Sequence, residues 1–194
     1  MPKVLGGSLA AHRDEVRSRV FAALRAELYE RGFDAVTLAG VATAAGLGRT
    51  SIYNHFPDRQ ALLVAFVEHE AARYVADLEA ALAAAPTPTA RLAAFARLQV
   101  QRLAEFHLPP GQALAAALDP AAYRRIAAHA DPIGDRLTQI VREGVATGEM
   151  TVPGEPEAVV AMIGAALSAR RLIEGTAAAD TAVAVVLRMV GARV

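Results

Sequence analysis

The chain has 194 residues, 20 basic and 20 acidic side chains for a formal net charge of zero, and a hydrophobic fraction of 54% in which only 5% of residues are aromatic. That length fits one large domain or a small domain joined to a medium one, with apolar mass for a sizeable core. The absence of cysteine excludes disulfides, thiolate zinc sites and thiol catalysis, and the neutral balance excludes a chain that is strongly basic throughout.

Alanine, leucine and arginine dominate, all of them strong helix formers, and no stretch sustains a period-two alternation of β-branched residues. The expected fold is all-α, with about nine helices. Val16, Val20, Leu24 and Leu28 recur every fourth residue beside Phe21, which predicts a first helix over about 11–31, ended by Gly32. Thr37 is an N-cap type before a short helix at 38–44. Ala45-Gly46-Leu47-Gly48 reads as a turn, and 49–56 as a third short helix. Pro57 stops the chain and Asp58 restarts it as an N-cap. A long helix then reaches about residue 84, with Leu62, Leu63, Phe66, Val67, Tyr74 and Leu78 on its buried side.

Pro86 and Pro88 break the chain before a helix at about 89–106, which Pro109 and Pro110 end. A short helix at 112–118 follows. Asp119-Pro120 and Asp131-Pro132 repeat one start signal, an N-cap aspartate with proline in the first turn, and open helices at about 120–130 and 132–147. After a loop rich in glycine and proline come two last helices, about 155–173 and 179–192. The longest apolar run, 158–169, is too short to span a bilayer and stops at Arg170 and Arg171. With no signal-peptide core at the N-terminus, a soluble cytoplasmic protein is expected.

Residues 37–56 carry the functional signal. Two short helices joined by a tight glycine turn hold the second helix clear of the body, where it can enter a major groove. Ala42 and Ala45 supply small residues where the helices touch, and Gly46 tolerates a positive φ. Val36, Leu38, Val41, Leu47, Ile52 and Phe56 supply inward anchors. What remains on the outward face of the third helix is Arg49, Thr50, Ser51, Tyr53, Asn54 and His55, a hydrogen-bonding set with no acidic member. Arginine pairs with guanine edges, asparagine with adenine and the threonine methyl with thymine, while Tyr, His and Ser donate to phosphates. The same face is also what a solvated surface helix presents. Charge leans weakly toward DNA: residues 1–60 hold eight basic and six acidic side chains.

The run from Arg31-Gly32-Phe33 through Val36-Thr37-Leu38, Val41-Ala42 and Ala45-Gly46-Leu47-Gly48-Arg49-Thr50-Ser51-Ile52-Tyr53-Asn54-His55-Phe56 to Arg59 and Ala61-Leu62-Leu63 resembles the TetR/AcrR family of bacterial transcriptional regulators. The detailed likeness covers about residues 13–66, and Tyr53-x-His55-Phe56 after the Ala-Gly turn is its most specific element. The resemblance implies that Thr37 caps the second helix and touches phosphate, that Arg49, Thr50, Ser51 and Asn54 face bases, that Tyr53 and His55 hold the DNA backbone, and that Arg59 contacts phosphate. Gly48 departs from the serine usual there, and Ala39 is short where some relatives carry a base-reading arginine. A DNA-binding domain over 1–57 and a ligand-binding and dimerisation domain over 58–194 are implied.

In that second region the last two helices are apolar nearly all round, so each must be covered on two sides, by the chain's own core or by a partner. The resemblance favours a homodimer with Ala161, Gly164, Ala165, Ser168, Val185 and Met189 at the interface. A two-fold axis would then set two recognition helices roughly 34 Å apart on a palindromic operator. Gln99 falls within the apolar stripe Leu92, Phe95, Ala96, Leu103 and Phe106, with Arg102 at its edge. A buried amide needs a partner, either another buried polar group or a small molecule. The second alternative gives a pocket lined by Phe95, Gln99, Arg102, Phe106, Tyr123 and Met162. No cofactor motif, catalytic signature or metal-ligand spacing is apparent. The expectation is a repressor of double-stranded DNA released by an unidentified small-molecule inducer, rather than an enzyme or a carrier protein with a vestigial DNA-binding head.

Overall fold

The computed structural model describes residues 9–105, 118–128, 131–167 and 178–192. Among them are nine α-helices, one 3-10 turn and no strand. The helices are α1 (Leu9–Arg31), α2 (Leu38–Ala44), α3 (Arg49–His55), α4 (Arg59–Ala84), α5 (Pro88–Glu105), α6 (Pro120–Ala127), α7 (Asp131–Ala146), α8 (Pro156–Leu167) and α9 (Ala178–Met189), with the 3-10 turn at Phe33–Ala35. The helix expected at 112–118 lies outside the described residues, apart from Leu118.

The helix starts follow local chemistry. Asp58 Oδ1 accepts from the Ala61 amide at 2.7 Å, and Asp119 Oδ1 accepts from the amides of Ala121 and Ala122, each at 2.8 Å. These bonds satisfy amides that an α-helix leaves without partners in its first turn. α5 begins one residue earlier than its periodicity suggests, because Pro88 occupies the first helical position and the Thr87 hydroxyl caps the Ala90 amide at 3.2 Å.

The chain forms two compact units, Met1–Val67 with Phe106–Tyr123, and Glu68–Glu105 with Arg124–Val194. The first extends ten residues past the boundary expected at 57, because the start of α4 supplies part of its core. Val16, Val20, Phe21, Leu24 and Leu28 of α1 are buried, as are Leu62, Leu63 and Phe66 of α4. Phe21 lies at the centre: its ring stands 5.7 Å from Phe66, edge to face, and 6.0 Å from Phe56. Leu38, Val41, Ala42, Ala45 and Ile52 seal α2 and α3 onto this core, whereas Leu47 is only half-buried.

The second unit is built around α5, whose Leu92, Ala93, Phe95, Ala96 and Val100 meet Leu137, Ile140 and Val141 of α7, Val159, Val160, Ile163 and Leu167 of α8, and Ala182, Val183, Val186 and Leu187 of α9. α8 and α9 are not buried all round. Their core residues fall on one stripe each. The opposite sides show Ala161, Ala165 and Met162, which is 58% exposed, and Val185, which is 44% exposed.

Candidate nucleic-acid interface

α2 opens on Thr37, whose backbone is extended and whose hydroxyl accepts from the Gly40 amide at 3.0 Å. It closes in a Schellman motif. The Gly46 amide donates to Thr43 at 3.0 Å, the Leu47 amide returns to Ala42 at 2.8 Å, and Gly46 takes φ +66°. A left-handed residue is needed at that point, and glycine adopts it without a Cβ clash.

α3 follows with Gly48 as its N-cap, in extended backbone at φ −66° and ψ 150°, and no side-chain cap bond is made there. Ile52 is fully buried and fixes the rotation of the helix on the core. Arg49, Thr50, Tyr53 and Asn54 therefore share the exposed face, Tyr53 being 44% exposed. Their spacing of one, four and five residues from Arg49 is that of neighbours on one helical side. Ser51 and His55 lie half-buried at its flank, His55 with its ring 6.4 Å from that of Phe56. On α2, Ala39 and Thr43 are exposed, and the Thr43 hydroxyl is bonded to the Ala39 carbonyl at 3.1 Å.

Arg59, for which the resemblance implies a phosphate contact, is also engaged within the protein. Its guanidinium lies 4.6 Å from the centroid of the Phe33 ring, and Nη2 donates to the Phe33 carbonyl at 2.5 Å. This internal clamp ties the start of α4 to the turn after α1, and the group is half-buried. Arg19, which the sequence did not single out, also serves the motif. From α1 it donates to the Ala45 carbonyl at 2.6 Å and reaches the Gly46 carbonyl at 3.3 Å. A sequence offers no signal for such a bond, since 26 residues separate the partners.

In the second unit Gln99 has a protein partner. The Tyr74 hydroxyl donates to its Oε1 at 2.8 Å. Arg102 is ion-paired with Asp77, and burial pushes the Tyr74 phenol well above its ordinary value, with Arg102 pulling in the opposite direction. Phe95 is buried in the core cluster against which Tyr74 packs. Of the other expected pocket residues, Met162 is on the outer side of α8 and Tyr123 belongs to the first unit, while Phe106 lies outside the described residues. Of the residues expected at a dimer interface, Ala161, Ala165 and Val185 are exposed and Gly164 is half-buried. Met189 instead packs partly against the unit's own core, and Ser168 lies outside the described residues. No group of three or more metal-ligating side chains occurs among the described residues, and no helix among them is long and apolar enough to cross a membrane.

A trihelical head with an Ala-Gly turn and a polar recognition face defines a helix-turn-helix protein. Residues 20–66 match the bacterial regulatory proteins of the tetR family. It is 40% identical over 72 residues to the HTH-type transcriptional regulator AlkX of Mycobacterium tuberculosis, a match covering 37% of this chain and about a third, 34%, of AlkX. Fold similarity extends further. A tetR-family regulatory protein from Rhodococcus RHA1 superposes with a TM-score of 0.75 at 20% identity, over 92% of this chain and 98% of that one. A TetR-family regulator from Agrobacterium tumefaciens gives 0.77 at 18% identity, over 92% and 98%. RolR, solved with resorcinol, gives 0.60 at 25% identity over 95% and 91%.

Proposed function

We propose that the chain is a transcriptional repressor that binds a palindromic operator as a homodimer and is released by a small molecule held in its second unit. The observation that carries the DNA-binding part is the exposed face of Arg49, Thr50, Tyr53 and Asn54, which contains a guanine reader, an adenine reader and no carboxylate to repel phosphate. The homodimer is supported by the apolar outer sides of α8 and α9, where Met162 and Val185 are exposed and small residues allow close approach. The effector is supported by the polar network of Tyr74, Gln99, Arg102 and Asp77 set against an apolar core, and by the aromatic ligand in RolR.

The test is selection of duplexes from a random pool by the purified full-length chain, followed by footprinting. The expected product is a two-fold symmetric site with half-site centres one helical turn, about 34 Å, apart. Absence of any enriched duplex contradicts DNA recognition, and a single asymmetric half-site contradicts the dimer. Placing the selected site over a reporter promoter separates repression, seen as a lower signal, from activation.

A further inference from the structure

We infer that Arg19 of α1 is a positioning residue for the recognition helix, doing for α3 what its missing N-terminal side-chain cap does not. The inference rests on the DNA-binding reading for its functional consequence but not for its structural one.

The argument starts from what the turn leaves unpaired. The Schellman motif occupies the carbonyls of Ala42 and Thr43. The carbonyls of Ala45 and Gly46 come after them, in the turn itself, and point to no helical donor of α2. Two residues after Gly46, α3 is capped by Gly48, which has no side chain to bond the first-turn amides. A helix of seven residues gains little from its own propagation, so its order depends on Ile52 and on the turn that feeds it. Arg19 holds that turn with a charged donor at 2.6 Å to Ala45 and 3.3 Å to Gly46, and hydrogen bonds of charged groups are the stronger kind. Gly46 makes room for it: a Cβ there would sit 3.0 Å from Arg19 Nη2. α1 is anchored independently through Val20 and Phe21, so Arg19 ties the turn to a fixed post. Gly48 has a negative φ and nothing within 4 Å of a built Cβ, which means that a serine cap fits there unstrained.

The test uses the full-length chain with Arg19→Met, which keeps the aliphatic stem, and the double variant Arg19→Met with Gly48→Ser. The first readout is hydrogen exchange of the amides of residues 52–56 without DNA. Arg19→Met is expected to speed it about tenfold, in keeping with loss of one charge-assisted bond, and Gly48→Ser to reverse much of that. The second readout is affinity and its salt dependence for a duplex selected by the wild-type chain. Affinity is expected to fall about tenfold with an unchanged salt slope, because a positioning residue neutralises no phosphate. A salt slope reduced by about one identifies Arg19 as a phosphate ligand and overturns the proposal, as does wild-type exchange in Arg19→Met. If Arg19→Met does not fold, Arg19→Lys takes its place. It retains charge but not the planar fork, and is expected to speed exchange about threefold, with wild-type exchange again contradicting the inference. If no duplex is enriched even by the wild-type chain, the DNA-binding reading fails while the exchange result still decides the role of Arg19.

Discussion

The two units are ordered by different means. In the first, directional bonds set the geometry that matters: the Thr37 cap, the Gly46 turn, the Arg19 and Arg59 clamps. In the second, apolar packing around α5 dominates, with a small polar network at its half-buried edge. The difference teaches why relatives share one region as sequence and the other only as shape. A recognition face works when particular side chains sit at fixed spacing on a fixed turn, so few sequences satisfy it. A helical body needs only apolar residues at the right period, which many sequences supply. The family match accordingly falls on residues 20–66, while the fold similarity reaches over nine-tenths of the chain at 16–25% identity.

The comparison can be broken most forcefully at the apolar core beneath the first unit's directional bonds. Phe21→Ala removes the ring that meets both Phe56 and Phe66 and is expected to cost about 3–5 kcal/mol, read as a lower urea midpoint. If the first unit rests on directional bonds alone, the loss will be far smaller. Gln99→Leu tests the polar element of the second unit. It leaves the half-buried Tyr74 hydroxyl without the Gln99 carbonyl, with an expected loss of about 1 kcal/mol. Adding Tyr74→Phe is expected to recover part of it, and an additive double variant would show the pair to be uncoupled.

A smaller effect concerns pH. The Tyr74 phenol is raised in the folded chain, so the unfolded state loses its proton first. The associated stability is fully present below the ordinary tyrosine value of about 10 and is lost as pH rises beyond it. Urea midpoints between about pH 9 and 11 are expected to fall more steeply for the wild type than for Tyr74→Phe, and parallel curves would place the phenol in water.

Much of this was legible beforehand. The four-residue repeat from Val16 to Leu28 announced α1, and Asp58 and Asp119 marked the starts they cap. Thr37, Gly46 and the exposure of Arg49, Thr50, Tyr53 and Asn54 were readable because turn chemistry and helical spacing are local, whereas Ser51 and His55, read as outward too, lie half-buried. Three things were not. The clamp of Arg59 on Phe33 is one, because a ring 26 residues away leaves no mark in the local sequence. Arg19 was missed for the same reason. Met162 has the composition of a core residue, and only the rotation of α8, set by Val159 and Ile163, turns it outward.

The central claim is that the exposed face of α3 reads DNA, and the most direct measurement is fluorescence anisotropy of a wild-type-selected duplex with Arg49→Ala and Asn54→Ala. Each is expected to weaken binding by about ten- to a hundredfold, in keeping with a bidentate base contact of about 1–3 kcal/mol, and to relax preference at one base pair in each half-site, with thermal stability unchanged because both side chains are exposed. Wild-type affinity and base preference in both variants would contradict it.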